Sequence, residues 1–196
     1  GTVYTLKREE PWTYLRDARE FALLLNAAGR MGKPSLGVAI CMGDRGRMLE
    51  QANMALEDYR RSIMNYLKWL DKNPERIEEL DSIYVVHGEN SIDEKMISAI
   101  STILSINLKP DKPVIGYSVV PNEGVIKISA RAHENLVKKG LNLGEIIRIA
   151  AERSMGKGGG HDIAAGGQVP YEQKKNFIKI VNDLVRENIR GKGIGS

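Results

Sequence analysis

The chain has 196 residues, 42% of them hydrophobic and 28% charged, with a formal net charge of +4. That length buries one core or two small ones, and a mild positive excess tolerates a polyanionic partner without requiring one. A single cysteine, Cys41, cannot close an internal disulfide, and no apolar run approaches a membrane span. The expected location is therefore a reducing, cytoplasmic compartment, with neither a membrane partner nor a secretory leader. The first residue is glycine rather than methionine, which reads as a trimmed piece of a longer parent or as a tag remnant.

Residues 1–12 read as a short extended segment ending near Pro11. Residues 13–29 read as a helix capped by Thr13, with Tyr14, Ala18, Phe21, Ala22 and Leu25 on one face and Gly29 as its stop. The small apolar run over 35–42 leans to helix, and a long amphipathic helix covers 47–71, with Met48 and Met54 as packing residues. Asn73-Pro74 breaks it, an acidic turn follows over 75–81, and a boundary falls near residue 80.

Beyond the boundary the pattern changes. A buried strand over 82–88 leads to a helix over 91–106, with Ser91 and Glu94 as a capping box. Strands over 113–120 and 125–131 flank the turn Pro121-Asn122-Glu123-Gly124. A helix over 142–155 starts at Asn142, a short strand covers 163–169, and an amphipathic helix covers 171–189. The expected fold class is α/β: a helical connector over 1–80, a small mixed-sheet domain over 81–190 and a disordered tail over 191–196.

Lys157-Gly158-Gly159-Gly160-His161 carries the chemistry. Three glycines without Cβ atoms suit a turn whose N–H groups converge on an anion, and Lys157 and His161 would flank that nest. A plain glycine loop is the bland alternative. Ser129 and Arg131, two apart near a strand end, point to one side and offer a hydroxyl beside a guanidinium fork, which suits one phosphate. The exposed side of an edge strand would look the same. Arg30 and Lys33 near a helix C-terminus are likewise explained by carbonyl capping, with Asn26 an ordinary polar neighbour. His87 ends an apolar strand and reads as structural. His133 follows Arg131 by two and is an accessory candidate, and Asp162 reads as a local hydrogen-bonding residue. The three histidines stand beside no carboxylate cluster at metal-ligand spacing, so no metal site is expected in this chain.

Gly-Gly-Gly-His followed by Ala-Ala-Gly, Ser-x-Arg closing the preceding strand, and Asn26-Ala27-Ala28-Gly29-Arg30 together resemble the connector and C-terminal DHH-associated domain of RecJ-like DHH phosphoesterases. The resemblance covers about residues 13 to 190 and points to an archaeal source. It implies that Arg30, Asn26, Ser129, Arg131, Lys157, Gly158, Gly159, Gly160 and His161 bind substrate phosphate. His161 and Arg131 would stabilise charge in the transition state. It further implies single-stranded nucleic acid as partner and a metal-dependent exonuclease as the complete protein. Manganese or magnesium would be held by an N-terminal DHH domain absent from this chain, since no Asp-His-His occurs here. The fragment alone would then be inactive. Three rival readings remain: a replisome interaction module presenting the helix over 47–71, an oligonucleotide or cyclic-dinucleotide phosphodiesterase, and a tRNA-editing accessory domain, for which the Asn26–Arg30 connector has no evident purpose.

Overall fold

The computed structural model describes residues 2–190, the last by its backbone alone. The chain divides into two compact units between Asn65 and Tyr66. Among the described residues no helix is long and apolar enough to cross a membrane. The tail expected to be disordered lies outside the described residues.

The first unit is helical. α1 (Ala18–Arg30) starts five residues later than the apolar pattern suggests. Asp17, not Thr13, is its N-cap, accepting from the Arg19 N–H at 2.7 Å. Thr13 instead bonds the Glu10 carbonyl in a turn. The later start shifts the buried side to Leu24, Ala27 and Ala28, and leaves Ala22 exposed. Gly29 does not stop the helix. The chain leaves through Met31 to Gly32, which takes the positive φ (74°) that glycine tolerates best. α2 (Pro34–Cys41) follows with proline in its first turn and packs on α1. α3 (Arg47–Lys72) has the expected length and buries Ala52, Ala55, Leu56, Tyr59 and Leu70. Met54 is exposed rather than packed, because it lies on the side opposite that stripe.

The second unit is a six-stranded mixed sheet of order β1-β2-β3-β4-β6-β5. The segment read as an acidic turn contributes β1 (Ile77–Glu79), a short edge strand antiparallel to β2 (Tyr84–Glu89). α4 (Ile97–Asn107) connects β2 to the parallel β3 (Val114–Val119). It starts later than the capping-box pattern suggests: Met96 is the N-cap and no side chain caps it. Glu94 is drawn away by an ion pair with Lys127. β3 and β4 (Val125–Arg131) form the expected hairpin, its turn made by Asn122 and Gly124 at positive φ. A short helix, α5 (Glu134–Lys138), was not legible from periodicity, being barely one turn. α6 (Leu143–Arg153) is capped by Asn142, whose Oδ1 accepts from the Glu145 N–H at 3.0 Å. β5 (Lys157–Gly160), β6 (Ala164–Pro170) and α7 (Lys174–Arg190) complete the unit.

Strand alternation divides the sheet into two sides. Val85, Ile115, Tyr117, Ile126, Ile128, Ala130, Ala165 and Val169 join α6 and α7 in the main core, with Ile147, Ala150, Phe177 and Val181. The other side is covered by α4 over β3 and part of β4. There Gly116 permits close packing: a Cβ would stand 2.2 Å from Ser101 Oγ. α4 packs on β3 and β4, and among the described residues no helix covers this side of β5 and β6.

Candidate functional site

The glycine run is a β-strand, not a nest. Lys157–Gly160 is the edge strand of the sheet, paired antiparallel with β6. Lys157 and His161 therefore stand at opposite ends of an extended segment, about 13 Å apart at strand rise, and do not flank one anion. The glycines answer to packing on one side. A Cβ at Gly158 would press on Ile147 and Ala151 of α6, at 3.0 and 3.1 Å, and one on Gly144 of α6 would stand 2.3 Å from the Gly160 carbonyl oxygen. Helix and strand backbones thus approach closely along this edge. On the other side, a Cβ at Gly159 would meet nothing within 4 Å, although its φ of 153° still favours glycine.

The strand registers make a row of nearly side-chain-free positions across four strands. Gly116 pairs with Ser129, Ser129 with Gly166, and Gly166 with Gly159. Ser129 supplies the one side chain in this row beyond hydrogen. It is 3% exposed, and its Oγ has no hydrogen-bond partner. A buried hydroxyl without a partner is unfavourable by roughly 1–3 kcal/mol, which a bound acceptor would relieve.

Two further rows flank this lane. Lys127 pairs with Gln168, and Gln168 with Lys157. On the other flank Arg131 pairs with Ala164. The His161 N–H bonds the Ala164 carbonyl at 2.8 Å, which extends the β5–β6 register by one pair. Alternation then puts His161 on the side of the sheet that carries Lys157 and Gly159. The result is a groove of about 740 Å³, lined by Lys127, Ser129, Arg131, Gly158, Gly159, Gly160, Gly166 and Gln168, with Ile97 and Ser98 from the start of α4. Its floor is glycine backbone and its flanks carry cations.

Arg131 is held over this groove. Its Nε donates to Thr102 Oγ1 of α4 at 3.0 Å, and its Nη1 donates to the Ala130 carbonyl at 2.8 Å. Thr102 Oγ1 in turn donates to the Ser98 carbonyl at 2.8 Å. Lys127 Nζ lies 2.8 Å from Glu94 Oε2. A hollow of about 810 Å³ elsewhere in this unit is lined by Glu79, Asp81 and Asp111 along with Lys112 and Arg186. Its carboxylates make it the poorer host for an anion.

The remaining candidates fall elsewhere. Asn26 and Arg30 belong to the first unit, one helical turn apart, where Arg30 Nε donates to Asn26 Oδ1 at 3.2 Å. His133 is not a groove residue: it caps α5, its Nδ1 accepting from the Asn135 N–H at 3.3 Å. Asp162 bonds the adjacent Ile163 N–H at 2.9 Å. Sequence reasoning missed Lys127, Gln168 and Thr102. Lys127 was open to discovery, because Lys127, Ser129 and Arg131 alternate along one strand. Thr102 was not, since only the docking of α4 brings it to Arg131.

His87 belongs to a polar network on the other side of the sheet. Its Nδ1 lies 2.8 Å from Tyr117 Oη and its Nε2 2.8 Å from Glu78 Oε2. Tyr117 donates to Glu89 Oε1 at 2.6 Å, as does Lys174 Nζ at 2.6 Å. Burial pushes the Tyr117 hydroxyl pKa strongly up, reinforced by its bond to Glu89. Burial would raise Glu89, but the bonds from Lys174 and Tyr117 outweigh it and hold the carboxyl below its usual range. Burial would lower Lys174, but its bond to Glu89, the Glu89 charge and the contact with Tyr171 together outweigh it and raise the ammonium.

Among the described residues, no three His, Cys, Asp or Glu side chains come together as metal ligands.

A mixed sheet with helices on both sides and a glycine edge strand defines an α/β domain of the DHH-associated kind. The DHHA1 domain family matches residues 81–187, and the chain belongs to this family. Uncharacterized protein MJ0831 of Methanocaldococcus jannaschii is 36% identical over 177 residues, covering 90% of this chain and 37% of that protein. The chain thus spans little more than a third of that relative's length. Among solved structures, RecJ in complex with Mn2+ from Thermus thermophilus matches with a TM-score of 0.68 at 18% identity, over 87% of this chain and 24% of that one. The pGpG-specific phosphodiesterase PggH from Vibrio cholerae matches with a TM-score of 0.51 at 14% identity, over 85% of this chain and 59% of that one. At these identities the likeness is one of fold.

Proposed function

We propose that this chain is the connector and substrate-clamping part of a RecJ-like phosphodiesterase that acts on single-stranded nucleic acid, and that its groove holds the substrate phosphates. One observation carries the reading: the buried, unpartnered Ser129 hydroxyl lies in a glycine-floored lane directly beside Arg131. A side-chain-free floor lets a sugar–phosphate backbone approach closely. The serine hydroxyl and the Arg131 guanidinium then both donate to one phosphate. His161, one register row from Ser129, would donate to a second oxygen of the same group. Asn26 and Arg30 would offer a phosphate contact of their own within the connector.

In this reading the hydrolytic metals belong to a DHH domain of the longer parent, for which the greater length of the MJ0831 relative is the support. This chain binds, orients and neutralises. Holding the phosphate in place against a separate reacting centre lowers the barrier by positioning, and cations on its oxygens stabilise developing charge.

The test is binding of the chain to a short single-stranded oligonucleotide over a salt series. Arg131→Ala and His161→Ala should both bind more weakly, and each lost phosphate contact should make the log K against log salt slope shallower by roughly 0.7. Variants that match the wild-type chain would refute the assignment.

A further inference from the structure

We propose that the Glu94–Lys127 ion pair ends the anion track of the groove and so limits the length of single strand that it grips. This rests on the phosphate-binding reading above. Lys127, Ser129 and Arg131 alternate along β4 onto the open side of the sheet. Lys127 therefore stands about 13 Å along the groove from Arg131, four residues at strand rise. A strand held at the Ser129 and Arg131 rows would bring its next phosphate toward Lys127.

That position is already taken. Glu94 Oε2 lies 2.8 Å from Lys127 Nζ. The Glu94 side chain is 16% exposed and that of Lys127 43%, so the carboxylate is the partner fixed by the fold and the ammonium comes to it. An arriving phosphate must displace a carboxylate that has little room to leave, or lie beside it and be repelled. The next residue in this row, Gln168, is neutral, and Lys157 lies beyond it. With one carboxylate set against two lysines, the row offers one net positive charge. The Glu94 end of the groove is therefore the closed one.

Fluorescence anisotropy with a dinucleotide and a longer single-stranded oligonucleotide, over a salt series, reads this directly. Glu94→Gln keeps the size of the side chain and removes its charge. It should bind the longer oligonucleotide roughly fivefold more tightly at low salt, with a slope steeper by about 0.7, the signature of one added phosphate contact. The dinucleotide should show no gain, and Glu94→Gln combined with Lys127→Met should lose it. Glu94→Ala, which removes the carboxylate outright, should show the same gain, and it carries the test if Glu94→Gln fails to fold by circular dichroism. A folded Glu94 variant matching the wild-type chain in affinity and slope overturns the proposal, as does a gain that persists when Lys127→Met is added. If Arg131→Ala itself changes nothing, the phosphate-binding reading fails and this one falls with it.

Discussion

Arg131 Nε donates to Thr102 Oγ1 at 3.0 Å, and the same hydroxyl donates to the Ser98 carbonyl at 2.8 Å. Thr102 therefore has its own proton committed and a lone pair aimed at the guanidinium, which makes it a positioning residue for Arg131. Thr102→Val keeps the shape and removes both bonds, and should weaken oligonucleotide binding by about threefold, the value of one modest hydrogen bond. Thr102→Ser retains the hydroxyl and should restore affinity. Equal losses in both variants would show that the bond does not position Arg131.

Close approach of α6 to the glycine strand predicts opposite outcomes at two glycines. A Cβ at Gly144 would stand 2.3 Å from the Gly160 carbonyl oxygen and 2.7 Å from its carbon, both backbone atoms that cannot rotate away. Gly144→Ala should destabilise by about 1–3 kcal/mol or more through overpacking. Gly29 lies inside α1 with nothing within 4 Å of its added Cβ. Gly29→Ala should stabilise by roughly 0.5–1 kcal/mol through helix propensity and the loss of unfolded-state freedom. Chemical denaturation of both variants measures the contrast.

The Glu89 network predicts an acid limb to stability. Glu89 has its pKa lowered in the folded state, since bonds from Lys174 and Tyr117 outweigh burial. Its contribution is thus present above the ordinary carboxylate pKa and is lost as pH falls through the lowered folded value. Glu89→Gln should cost about 1–2 kcal/mol near neutral pH, as expected for hydrogen bonds to a charged group. The difference from the wild-type chain should shrink as both are titrated into acid. A gap independent of pH would assign the loss to packing rather than to charge.

Asn142 caps the helix that supports the glycine strand, with its Oδ1 3.0 Å from the Glu145 nitrogen. Asn142→Ala should cost about 1 kcal/mol, and Asn142→Asp should be close to neutral or stabilising, because a carboxylate also favours a helix N-terminus. Thermal unfolding of the two variants distinguishes capping from a general intolerance of change at this position.

Much of the architecture was legible. The long stripe of α3, the hairpin of β3 and β4, the Asn142 cap and the apolar side of α7 each follow from a single period or a single capping pattern. The element starts were not. Thr13 and Ser91 both satisfy the composition of an N-cap, yet Asp17 and Met96 take those positions: Thr13 bonds the Glu10 carbonyl instead, and Glu94, the expected capping-box partner of Ser91, is paired with Lys127. β1 has too few residues to show a period, and it exists only because β2 offers an edge.

By itself the chain's sequence determined that a helical segment precedes a mixed α/β domain, that Ser129 and Arg131 share one side of a strand, and that backbone must approach something closely at residues 158–160. Local propensity and periodicity reach that far, because they depend on residues near one another in the chain. Only the tertiary structure decided that the glycines form an edge strand rather than a nest. It alone aligned Gly116, Ser129, Gly166 and Gly159 in one row, and it set Thr102 on Arg131 and Glu94 on Lys127. Those relationships join residues tens of positions apart, and their physical cause is strand register together with the docking of α4 and α6, which no local pattern encodes.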